Sequence, residues 1–182
     1  MPITVNRIRI FLYVVLFLFS AVLLGLTAAR LHYTLHVPEG DPVNGGNDFY
    51  DPIVVELLVS SVLTLLWVPW VIHVIAKTSD YGWVSTFAGE TVSLFIFFVM
   101  WLVGSAVSTH SWGDLSWCHI YRPCRILTAM VAFSWMGFIL IFILLITNLM
   151  FAIANHAFRQ PLHGRYDPRA SGYGHNMTQY QA

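Results

Sequence analysis

Four long stretches of the chain carry almost only apolar side chains, and the segments between them are polar. The first runs from Ile10 to Ala29 without a charge. The second runs from about Ile53 to Ala76, with Glu56 near its start and His73 near its end. The third covers about Thr91 to Thr109, and the fourth runs from Ile126 to about Asn155, again without a charge. A bilayer core of about 30 Å takes about 20 helical residues to cross, and each stretch is long enough. Lipid supplies no partner for a bare backbone N–H or C=O, so helices are expected. The runs are continuous and do not alternate apolar with polar, which excludes a barrel reading. The pattern therefore predicts an all-α, four-helix transmembrane bundle, up-down-up-down, with spans over about 8–29, 53–76, 90–110 and 126–154 of a domain covering 1–158.

Details within the runs refine this. The fourth run reaches about 45 Å as a straight helix, more than the core thickness, so it should tilt or emerge before Pro161. Pro69, between Trp67 and Trp70, removes a backbone donor and should kink the second span. A signal peptide is the rival reading of the first run, but its apolar core exceeds the usual length of about 7–15 residues. The connector Arg30 to Pro52 is long and rich in Gly and Pro, which predicts turns. The segment 159–182 is rich in Gly, His, Tyr and Gln and has little to bury, so it is expected to be a disordered cytoplasmic tail.

Composition agrees with a lipid-facing exterior: 57% of residues are hydrophobic and 10% charged, against about 45–50% and about 25% in ordinary soluble domains. Nine basic and nine acidic residues cancel, and this neutral balance argues against nucleic acid as a partner. Orientation follows from the basic residues of the short flanking segments. Arg7, Arg9, Lys77, Arg159, Arg165 and Arg169 fall on one side, and Arg30, Arg122 and Arg125 on the other. That excess predicts both termini in the cytoplasm. Asn176-Met177-Thr178 is a glycosylation sequon that a cytoplasmic tail would leave unused.

Cys118 and Cys124 share the third connector, on the side this topology places in an oxidising compartment. A disulfide is expected there; two unpaired thiols near the interface are the alternative. Glu56 and Glu90 lie near span ends. A membrane carboxylate is a functional candidate by default, but these positions are expected to reach the headgroup region. No Asp, Glu, Lys or Arg stands at the middle of a span, whereas coupled transporters use such groups for ion relay. His32 and His36 are one helical turn apart and, with His110, could serve a metal enzyme. The expectation is nevertheless that there is no catalytic, cofactor-binding or metal site. Ala21, Gly25 and Ala29 form a small-residue ridge on the first span, and Gly104 and Ser108 another on the third. Such ridges let helix backbones approach closely, within the bundle or between protomers, and packing within the bundle is expected for both. Trp83, Trp112, Trp117, Tyr33, Tyr50 and Tyr81 lie near span ends, where amphipathic rings anchor at the headgroups. Trp67, Trp101 and Trp135 lie deeper and should pack helices together.

Several stretches give the chain a family likeness. Arg7 and Arg9 directly precede the first span, which closes with Leu24-Gly25-Leu26-Thr27-Ala28-Ala29-Arg30-Leu31-His32-Tyr33. The pair Cys118 and Cys124 lies in the second outer loop, and the fourth span opens Cys124-Arg125-Ile126-Leu127-Thr128-Ala129. In these features residues 5–158 resemble MARVEL-type tetraspans, in particular the small MARVEL-like proteins of fungi. The resemblance implies cytoplasmic termini, no catalysis, and a role in membrane apposition, vesicle traffic or lateral domains. The expected function is thus a non-enzymatic tetraspan that organises plasma or secretory-pathway membrane. Its expected partners are lipids and other integral membrane proteins, including copies of itself. The alternative is a transporter or channel subunit, with Ser93, Ser105 and Ser108 lining an oligomeric pore.

Overall fold

The computed structural model describes residues 2–36, 51–77, 86–112 and 122–154. Among the described residues there are four helices and no strand: α1 Pro2–Leu35, α2 Pro52–Lys77, α3 Phe87–Ser111 and α4 Arg122–Ala154. All four are long and apolar enough to cross a membrane, so the chain is a multi-pass membrane protein. α2 continues through Pro69 as a single element. The predicted tail, the sequon, Cys118 and His119 lie outside the described residues.

Neighbouring helices run in opposite directions. Around the ring α1 packs on α2, α2 on α3, α3 on α4 and α4 on α1, with the α2–α3 side the most sparsely packed. One end, where α1 begins, gathers Arg9, Glu90 and Asn148; the far end gathers Arg30, Asp51 and Gly104. Arg9 and Arg30 are about 32 Å apart along α1, close to the thickness of a hydrocarbon core.

Each helix buries a stripe whose members are three and four residues apart. In α1 the stripe is Arg9, Tyr13, Leu16, Ser20, Leu23, Thr27, Arg30 and Thr34. This 3.5-residue repeat is the seam of a left-handed bundle with shallow crossings. Five of these eight are polar or charged, and Ser60, Thr64, Ser105, Ser134 and Asn148 extend that character through α2, α3 and α4. The outer surface is apolar instead, with Leu66 70% exposed and Ile96, Leu18 and Ile139 about half exposed. A water-soluble bundle has the reverse arrangement. Here the outer face meets lipid and polar groups turn inward to find partners. Many hydroxyls bond back to their own helix: Ser20 to the Leu16 carbonyl at 2.8 Å, Thr27 to that of Leu23 at 2.9 Å.

The two small-residue ridges have different surroundings. Gly104 is buried against α2, where a Cβ would overlap the Glu56 carboxyl and the Leu57 side chain. Ser108, on the same face, is fully buried. Ala21, Gly25 and Ala29 are exposed on the outside of α1, and nothing lies within 4 Å of where a Gly25 Cβ would stand. The expectation of packing inside the bundle is therefore corrected for the first span. The buried stripe of α1 already carries its contacts to α2 and α4, leaving the ridge on the opposite side.

Trp101 fills the middle of the bundle. It is 0% exposed, donates its indole N–H to Thr64 of α2 at 3.1 Å, and lies so close to Gly137 of α4 that a Cβ there would overlap its ring. Leu16, Leu23, Leu57, Leu94 and Ile141 belong to the same buried apolar core. The other deep tryptophans also join helices: Trp67 meets Tyr13 edge-on at 5.7 Å, and Trp135 donates to Thr109 at 2.8 Å.

Candidate functional site

Two ionisable centres stand inside the bundle, near opposite ends. The first is built by α1 and α3, which face each other diagonally. Thr86 caps α3, its hydroxyl accepting from the Gly89 N–H at 3.3 Å. That start places Glu90 in the first turn, where the unpaired N–H groups of a helix favour an anion. The Glu90 carboxylate turns into the bundle and is 2% exposed. One of its oxygens forms an ion pair with the Arg9 guanidinium, and the other accepts from the Tyr13 hydroxyl. Arg9 is equally buried and lies over the Phe87 ring at 5.1 Å, a cation–π contact. Asn148 of α4 closes the same end on α3, donating to Thr91 at 2.9 Å and to the Phe87 carbonyl at 3.4 Å.

This cluster corrects the expectation that Glu90 reaches the headgroups. A carboxylate on the inner face of α3 cannot leave without abandoning Arg9 and Tyr13. Their positive charge and hydroxyl compensate it where lipid would not. The sequence held a usable signal. Arg9, Ser20, Thr27, Arg30 and Thr34 share one 3.5-residue repeat, marking that face of α1 as the inner one. Arg9 and Glu90 also fall at the same end of the first and third spans.

The second centre is Glu56, in the second turn of α2. Its Oε1 accepts from Ser60 on the next turn at 2.9 Å. Its Oε2 is closed off from solvent without a hydrogen-bond partner and lies against Gly104 of α3. Ser105, the next residue of α3, also has a buried hydroxyl oxygen without a hydrogen-bond partner. Toward the bundle middle, Thr64 donates to the Ser60 carbonyl at 2.7 Å and accepts from Trp101. Nearer the far end, Arg30 and Asp51 pair at 3.4 Å.

The remaining candidates are not gathered into a site. His32 and His36 stack at 4.9 Å on the exposed end of α1, and His110 is exposed on α3. Among the described residues, no three His, Cys, Asp or Glu side chains are placed to hold one metal ion. Ser105 and Ser108 face the interior of the single bundle, which removes them from a pore formed between copies. Ser93 bonds to the Gly89 carbonyl at 3.0 Å. Cys124, at the start of α4, is not a free thiol. The chain matches no family model, no curated protein and no solved structure.

Proposed function

We propose that this protein is a non-enzymatic tetraspan that organises membrane by lateral association, with both termini in the cytoplasm. Its partners are lipids and other membrane proteins, copies of itself among them. The observation that carries the proposal is the outward face of α1, where Ala21, Gly25 and Ala29 leave backbone open to a neighbouring helix. Two apolar helices in lipid gain little from hydrophobic burial, so close backbone approach across small residues is what favours their association. The likeness to MARVEL-type tetraspans in the stretch Leu24 to Tyr33 includes part of this face. The fully buried Trp101 in the bundle interior and the mutual neutralisation of Arg9 and Glu90 favour packing over passage of solutes. The proposal includes plasma or secretory-pathway membrane as the location, and a Cys118–Cys124 bridge closing the connector between α3 and α4. Alkylation before and after reduction tests the bridge: thiols that react only after reduction support it.

Full-length protein labelled separately with donor and acceptor dyes, and reconstituted sparsely into vesicles, tests the association. Energy transfer should exceed that of random mixing and fall to the random level in Gly25→Leu. Wild-type transfer at the random level would remove the proposal.

A further inference from the structure

Glu56 and Glu90 are the two glutamates among the described residues, and their surroundings are opposite. Glu90 has a guanidinium and a phenol. Glu56 has one serine hydroxyl on Oε1, and its Oε2 lies against Gly104 with no hydrogen-bond partner among the described residues. Its depth sharpens the contrast. Asp51, which pairs with Arg30, precedes α2, and Glu56 lies about 7.5 Å further along, within the apolar run of α2. Glu56 is half-buried, but its Oε2 is closed off from solvent and meets no counter-charge among the described residues, and such a group sheds its charge by taking up a proton.

We propose that Glu56 is a proton-binding site in the α2–α3 seam, occupied in the closed bundle, so that α2 carries a neutral carboxylic acid. Ser60 then donates to the carbonyl oxygen, Oε1, and the acid proton resides on Oε2. Gly104 is what makes room for this: any side chain at that position would overlap Oε2. The carboxyl is thereby held against the α3 backbone, one residue from the Ser105 hydroxyl, whose buried oxygen also lacks a hydrogen-bond partner. Losing the proton would leave an uncompensated charge in the most sparsely packed side of the ring. The seam would therefore respond to the acidity of the compartment at its far end.

The other ionisable side chains described at this end lie elsewhere or are paired. On α1, Arg30 is paired with Asp51, and His32 and His36 are exposed. His110 of α3 and Arg125 of α4 are exposed, and Cys124 is not a free thiol. Among the described residues, Ser60 alone is hydrogen-bonded to the Glu56 carboxyl.

Infrared spectroscopy of the full-length protein in neutral-lipid vesicles tests this directly. The protein is compared with and without 13C in the glutamate side-chain carboxyl. Near neutral pH, the expected result is a protonated-carboxyl C=O band that shifts with the isotope and moves to lower frequency in deuterium oxide. The band should be missing in Glu56→Gln and should give way to carboxylate stretches as the pH is raised. Gln mimics the neutral acid, so this variant should also melt at the wild-type temperature. An isotope-sensitive glutamate signal consisting only of carboxylate bands near neutral pH would overturn the proposal. The wild-type spectrum alone decides that point, even if the variant failed to fold. The readout is independent of self-association, so it can succeed or fail separately from the proposed function.

Discussion

The Arg9–Glu90–Tyr13 cluster shows what one residue can be worth in this bundle. The ion pair spans the diagonal between α1 and α3 with both partners buried. Removing one partner strands the other in an apolar interior, at a cost of about 3–5 kcal/mol, while removing both with well-packed replacements is often neutral. Glu90→Leu and Arg9→Leu should therefore each destabilise the protein strongly, and the double variant should recover most of the loss. Unfolding titrations of the four proteins in lipid-detergent mixtures would measure this. Additive losses would show that the pair does not act as a unit. The cluster was not read as a pair from the sequence because its members are 81 positions apart. Knowing which helices face across the ring takes the fold. Each charge was visible, but a position near a span end is compatible with either a headgroup or an interior partner.

At the scale of the helix, the spans were legible because composition alone decides whether about 20 residues can cross a bilayer. The inner face of each was harder to read. A uniformly apolar run has no strong apolar stripe to mark it, so Gly25 and Gly104 looked equivalent. What separates the faces is the sparse polar repeat, Arg9–Ser20–Thr27–Arg30–Thr34 in α1 and Ser60–Thr64 in α2. The two glycines then predict opposite outcomes. Gly104→Leu inserts a side chain into the space of Glu56 and Leu57 and should destabilise by about 1–3 kcal/mol. Gly25→Leu points away from the bundle and should stay within about 0.5 kcal/mol. Thermal melts of both variants check the difference. Equal losses would place the α1 ridge inside the bundle after all.

The described residues form an apolar exterior around an interior that carries buried polar side chains along its length and is filled by Trp101 in the middle. Charge is paired at Arg9–Glu90 and Arg30–Asp51, and Glu56 stands apart. A middle filled by Trp101 suits the proposed packing unit better than a conduit, which needs an open path across the bundle. The four-residue spacing of Ala21, Gly25 and Ala29 was visible in the sequence, but spacing does not tell the outer face of α1 from the inner one. The most direct test of this account is a flux measurement on sealed vesicles containing the full-length protein, loaded with pH-sensitive and salt-sensitive dyes. Protons and small ions should equilibrate no faster than in protein-free vesicles. A flux carried by the wild type and abolished by Glu56→Gln would contradict it and make the protein a transporter or channel subunit.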